Sequence, residues 1–320
     1  MNSDPDSKMR SPSRPDARRE ATRQFMEEAK RTPGFSRFDR IHGYVYARWP
    51  YLYIALATGE HRLSKWIRPI IKILAKLFTP AGKDGSGPPT VAENYHGKVL
   101  PLTAARQLVS VDEPIRLTDL EQIIPFPYAK DIILCNPDHI VVLDCPCRAS
   151  RVNPCLPLDV CLVIGEPFAS LVVEHHPHRS RWITSEEAQS ILQAEHERGH
   201  VHHAFFKDAM LGRFYAICNC CPCCCGAFQA MRNDSPMLIS SGYVCQVDRG
   251  LCLDCGTCDD VCPFDALYAD DELRLVDDQK CMGCGVCVSA CPEGALSLVL
   301  DPKKPAPLEI RSLMQQAAIH

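Results

Sequence analysis

The chain has 320 residues, 46% hydrophobic and 23% charged, long enough for two or three ordinary globular domains rather than one. Its 20 cysteines would suggest a disulfide scaffold in a short secreted protein. Most of them fall in tight C-x-x-C and C-x-C groups, however, and no secretory pattern opens the chain, so the expectation is a reducing cytoplasm and bound metal. The net charge of −4 hides a division: residues 1–80 hold 16 Lys/Arg against 8 Asp/Glu, and residues 81–320 hold 19 against 31.

In chain order, residues 1–36 read as a disordered or loosely helical basic tail rich in Ser, Pro, Arg and Asp. Residues 37–78 read as an aromatic and amphipathic helical region. Lys65–Phe78 places Lys65, Arg68, Lys72 and Lys76 on one face and Trp66, Ile70, Ile71, Leu74, Leu77 and Phe78 on the other. Such a helix can lie on the inner face of a membrane, but packing on the fold or on a partner is the plainer reading; the apolar run is too short to span a bilayer. Residues 79–90, rich in Gly, Pro and Ser, read as a linker. From 91 to 240 the pattern is mixed α/β. Strands are expected at His139–Leu143, Leu162–Ile164, Leu171–Val173 and Val201–Phe206, with a helix from Thr184 to Arg198. Thr184 and Glu187 are set for a capping box, and Gly199 for the stop. Helix, turn and strand in that order could form half of a winged helix, but the segment has no basic cluster, so no nucleic acid is expected.

An internal repeat marks residues 241–301. Cys252, Cys255, Cys258 and Cys262-Pro263 recur 29 residues later as Cys281, Cys284, Cys287 and Cys291-Pro292, each copy running on into Ala-Leu. The repeat resembles the C-x2-C-x2-C-x3-C-P run of two-cluster ferredoxins, in which the fourth Cys of each run ligates the other cluster. That resemblance implies one [4Fe–4S] cluster on Cys252, Cys255, Cys258 and Cys291 and a second on Cys281, Cys284, Cys287 and Cys262. Gly256, Gly283 and Gly285 would let backbone N–H groups approach the sulfurs. A structural-zinc reading leaves the duplicated third and fourth Cys unexplained. Residues 244–301 carry 12 acids and 3 bases, a charge that would steer this end to a basic patch on a redox partner.

A second set of thiols precedes it: Cys145, Cys147, Cys155 and Cys161, then Cys218, Cys220, Cys221, Cys223, Cys224 and Cys225. Six cysteines in eight residues cannot all point into one core, so a split set is expected, some ligating and some structural or redox-active. The arrangement C-x-C-R … C-x5-C … I-C-N-C-C-x-C-C, ahead of the repeat, is similar to that of dicluster iron–sulfur proteins of anaerobic bacteria and archaea, over roughly residues 95–300. The resemblance implies a redox role and an additional metal centre, not a substrate. We expect one further iron–sulfur cluster or metal on Cys145, Cys147, Cys155, Cys161, Cys218, Cys220, Cys221, Cys223 and Cys224. A zinc or mononuclear iron site and a dithiol relay remain open alternatives. Cys135 and Cys245 are expected to be packed and inert.

His196-Glu197-Arg198-Gly199-His200 matches the HExxH pattern of zinc proteases, but Gly199 stands where the helix should end, leaving His200 past the cap. There is no P-loop, no G-x-G-x-x-G after a strand and no serine elbow, so flavin or nicotinamide is expected on a partner. The expected fold class is α+β and multi-domain: a helical N-terminal region, a Cys-rich α/β redox domain, a ferredoxin-like dicluster domain with a pseudo-two-fold repeat, and a C-terminal tail at 302–320. The expected role is an iron–sulfur electron carrier or a subunit of a larger redox system. The rival is a reductase whose middle domain is fed by the ferredoxin, with Arg148 orienting an anion.

Overall fold

The computed structural model describes residues 20–66, 90–118, 120–270 and 273–317. The apolar runs of the middle region build an eight-stranded sheet: β1 (Tyr95–Leu100), β2 (Ile115–Leu117), β3 (Ile132–Asp144), β4 (Asp159–Glu166), β5 (Ser180–Ile183), β6 (Val201–Lys207), β7 (Arg213–Cys220) and β8 (Leu238–Ile239). Its order is β2-β3-β4-β7-β6-β1-β8, with β5 also on β3. Every pairing is antiparallel except β1 with β8.

Both faces of this sheet are covered, which is why its strands lack the polar-out alternation of a half-exposed sheet. Val141, Leu143, Cys161, Val163 and Tyr215 enter one core. Ile140, Val142, Leu162, Ile164, Phe214 and Ile217 enter the other. The second core is roofed by the helices Leu102–Leu108, Ser185–Glu197 and Ile310–Ala317.

The first core is roofed by the N-terminal helices Glu20–Arg31, Arg37–Arg48 and Pro50–Thr58 and by the helices Phe168–His175 and Gly226–Arg232. Ala21, Phe25 and Ala29, four residues apart, bury one face of the first helix, and Phe25 alone contributes about 1.5–3 kcal/mol. Glu174 accepts from the backbone N–H of Ala21 at 2.9 Å, so a carboxylate from another helix caps this one. Gly43 fits because a Cβ there would stand 2.1 Å from the Ala209 carbonyl oxygen.

Residues 243–300 form a smaller unit in which β9 (Tyr243–Val247) pairs with β12 (Leu296–Leu300) and β10 (Leu267–Asp270) with β11 (Leu273–Val276). The two cysteine runs repeat their geometry as well as their sequence. Gly256 (φ +81) and Gly285 (φ +82) are both left-handed N-caps of one-turn helices, Thr257–Asp260 and Val286–Ala290.

Several expectations are corrected. Within 1–36, residues 20–31 form a packed helix, because its apolar face has a sheet-covering site to fill. Leu171–Val173 is helical: Pro167 starts a helix whose Phe168, Leu171 and Val172 all reach the first core. The segment 302–320 is more than a tail, since Leu308 and Ile310 lie in the second core. Thr184 accepts from the Glu187 N–H at 3.2 Å, but only half a capping box forms, because the Glu187 carboxylate pairs with Arg181 at 2.5 Å. Cys135 is exposed on β3. Strand β6 lies between β7 and β1 in the sheet interior, so it is no wing. Of Lys65–Phe78 only Lys65 and Trp66 are among the described residues, as is only Thr90 of the linker. Among the described residues no helix is long and apolar enough to cross a membrane.

Candidate metal centres

The chain contains no disulfide; all 20 thiols are free. In the C-terminal unit, Cys252, Cys255, Cys258 and Cys291 line one small cavity with Gly256 and Arg274. This is the crossed grouping implied by the repeat: three thiols from one run and the fourth from the other. Cys255 is exposed, and Cys252 and Cys291 are half-buried. Arg274, buried to 7% exposure, pairs with Asp254 at 2.8 Å and with Asp259, tying two segments together at this site.

The other run lies deeper. Cys281, Cys284 and Cys287 are buried, and Cys262 is half-buried. Burial pushes the Cys284 thiol up, with the neighbouring Cys287, Cys262 and Cys281 adding to the shift. Backbone N–H groups reach sulfur here: Ala266 donates to Cys262 and Cys245 to Cys281, each at 3.4 Å. Cys245 is packed, as expected, with its sulfur 3.6 Å from that of Cys287.

The ten thiols of the middle region do not converge on one point; they divide six and four. Cys155, Cys221, Cys223 and Cys224 bring their sulfurs within 4.8 Å of one another, with Cys223 lying 3.6 Å from Cys224. Tetrahedral zinc or iron with bonds of about 2.3 Å places its sulfurs about 3.8 Å apart. The group therefore has the size of a single-ion site. A cubane instead takes one thiolate on each of four separate irons.

The remaining six form a ring. Cys145 neighbours Cys147 and Cys161, Cys161 neighbours Cys218, Cys218 neighbours Cys220, Cys220 neighbours Cys225, and Cys225 closes on Cys147. The sheet explains half of it. Cys161 on β4 is the register partner of Cys218 on β7, and Cys218 and Cys220, two apart on a strand, share a face. Cys145 leaves the end of β3 as N-cap of the turn Pro146–Ala149, and Cys225 is N-cap of Gly226–Arg232. The Cys147 sulfur accepts from the Gly226 N–H at 3.5 Å. Cys218 is pulled down to about 6 by bonds from Cys161 and Cys220. Cys225 is lowered by Cys147 and Cys220, then by the N–H groups of Phe228 and Ala227 at its helix start.

Beside the ring, Arg148 ties its segments together. Its guanidinium donates to Pro157 O (2.6 Å), Asn219 O (3.0 Å) and Glu195 (2.5 Å), and His200 stands 2.7 Å from the same carboxylate. Arg148 and Glu195 are each 1% exposed. Its partners are all internal, so Arg148 acts as a clamp, although it also borders the cavity and its Nε has no hydrogen-bond partner. The HExxH pattern dissolves in the same way: the helix ends at Glu197, His200 lies beyond it, and His196 bonds Ser289 at 2.7 Å.

In front of the ring lies a cavity of about 620 Å³, lined by the ring thiols, Tyr46, Tyr95, Tyr215 and Lys207 among others. The three phenol oxygens bond one another at 2.8–3.4 Å. Lys207 stands 5.0 Å and 4.6 Å above the rings of Tyr46 and Tyr95. Cys225 stood among the second set of thiols but not among the expected ligands, and the tyrosines were not expected at the site. The period-two spacing of Cys218 and Cys220 on a strand was the signal available for the ring. Nothing local points to the tyrosines, which come from three distant segments.

Residues 245–292 match the family described as a 4Fe-4S dicluster domain. No curated protein matches the chain. The C-terminal region is thus an iron–sulfur domain of the dicluster type, joined to a separate Cys-rich group in the middle region.

Proposed function

We propose that this chain is an iron–sulfur electron-transfer protein, a relay or subunit of a larger redox system, whose dicluster domain serves the Cys-rich middle region. Cys252, Cys255, Cys258 and Cys291 would hold one [4Fe–4S] cluster; Cys281, Cys284, Cys287 and Cys262 would hold the other. These groups supply one-electron carriers. Cys155, Cys221, Cys223 and Cys224 would hold a single tetrahedral zinc or iron ion.

The observation that carries this reading is a packed line from the deeper ferredoxin site to the thiol ring. Phe264, two residues after Cys262, lies 5.1 Å from the ring of Phe228. Phe228 lies 5.8 Å from His203, the register partner of Cys218. Met282, Cys284 and Val286 share one buried core with Cys145, Cys161, Cys220 and Cys225. The other site, with Cys255 exposed, faces solvent and suits docking of a partner. Its acidic surroundings fit a basic patch on a flavin- or nicotinamide-bearing protein, and twenty free thiols fit a reducing cytoplasm.

The cavity favours a second reading, in which the middle region is a reductase site whose phenols could give protons to a bound molecule. The deciding experiment is a potentiometric titration of anaerobically purified protein, followed by EPR. Two interacting cubane signals plus a third centre reduced in equilibrium with them support the relay. A middle region that never changes redox state overturns it. Turnover of a small molecule by the reduced protein would move the assignment to the reductase.

A further inference from the structure

We infer that Cys145, Cys147, Cys161, Cys218, Cys220 and Cys225 together hold one metal–sulfur cluster of more than four metal atoms, bordering the cavity and separate from the four-thiol site. This rests on the electron-transfer reading above and goes beyond it in naming the class of centre.

The first argument is number. A cubane has four iron corners and takes four thiolates, so a ring of six leaves two over. None of the six is packed away from the others, and all six border the same cavity. The second is shape. Each ring thiol neighbours two others, so the six close into a loop instead of gathering at one point. Among the described residues, the His, Cys, Asp and Glu side chains close enough to grip one ion are those of Cys155, Cys221, Cys223 and Cys224. A closed loop of sulfurs fits the rim of an extended cluster better than a point ion.

The third argument is charge. Six thiolates gathered in an apolar chamber need compensating positive charge. The two cations bordering the cavity, Arg148 and Lys207, are each beside a carboxylate, Glu195 and Asp208, so bound metal ions are the source that remains. The fourth is preorganisation. The ring thiols come from four backbone segments, held together by strand register and by the Arg148 clamp. A Cβ on Gly226 would stand 3.2 Å from Thr58 Cγ2 and 3.7 Å from the Cys147 sulfur, so the helix Pro50–Thr58 closes over this edge. Such a frame fixes six donors before any metal arrives.

The test uses the full chain, made in a host with cluster-assembly machinery, enriched in the Mössbauer isotope of iron and purified without oxygen. Metal and acid-labile sulfide are counted per chain and the iron is resolved by Mössbauer spectroscopy. We expect clearly more than about twelve irons, the content of three cubanes. The double variant Cys161→Ser/Cys225→Ser should keep only about eight or nine irons, those of the two cubanes and of the four-thiol site, with both ferredoxin EPR signals intact. Cys223→Ser should lose about one metal ion. A wild-type count of about twelve, with a third cubane spectrum, overturns the inference and leaves the relay standing. About eight or nine, the two cubanes with zinc or iron in the four-thiol site, also overturns the inference, and the potentiometric titration then decides the relay by whether the middle region changes redox state. Excess iron that persists in the folded double variant also overturns the inference. Should that variant not fold, the wild-type count and spectrum decide alone.

Discussion

The two thiol regions are built from opposite kinds of backbone. In the C-terminal unit each cysteine run wraps a short loop, turned by left-handed glycines such as Gly256 and Gly285. Thiols two or three residues apart are neighbours there because the chain between them is short. In the middle region the ring thiols ride on β4, β7, the end of β3 and a helix N-terminus. Cys161 and Cys218 meet only because two strands pair in one register. A loop site is nearly self-contained; a sheet site depends on everything that holds the sheet. The middle region should therefore fail as a whole when its frame is disturbed, and the C-terminal sites should fail one at a time.

Glu195→Ala is the strongest way to break that contrast. It leaves Arg148 buried and without its charge partner, at a cost of about 3–5 kcal/mol. Chemical denaturation should show that loss, and the middle-region metal should go with it. The ferredoxin EPR signals should persist; their disappearance would mean that the two regions fold as one.

Acid should separate the regions in the same direction. Burial pushes His202 and His203 down to about 3, each from an ordinary 6.5. For a base whose folded-state pKa lies below its unfolded value, stability is fully present above the unfolded pKa. It drains away as pH falls toward the folded one, by up to about 1.4 kcal/mol per histidine for each pH unit. Residues 241–317 contain no histidine. Denaturation midpoints measured on either side of pH 6.5 should fall for the middle region before the dicluster unit responds.

Cys284→Ser sharpens the comparison from the other side. It should remove about four irons and one EPR component, with the exposed ferredoxin site and the middle-region centre unchanged. Cys284 shares a core with the ring, so simultaneous loss of both centres would show the loop site to be less self-contained than its backbone suggests. The smallest effect belongs to Cys135→Ser. Its thiol is exposed on β3, and stability should stay within about 0.5 kcal/mol with metal content unchanged.

The sequence by itself determined what local spacing can determine, the duplicated cysteine runs and the stop at Gly199; the crossed grouping of Cys291 with Cys252 and the dicluster unit were what the resemblance of those runs implied. Each of these depends on residues close along the chain or on an exact repeat. It also announced a surplus of thiols between Cys145 and Cys225 but not their division, because Cys221 and Cys220 are adjacent yet belong to different sites. The helix at Leu171, the buried Arg148 and the cavity beside the ring were decided by tertiary contact. Strand register, two covered sheet faces and a guanidinium bonded to three segments are long-range facts. Side chains from Tyr46, Tyr95 and Tyr215 become neighbours only when apolar burial closes those distances.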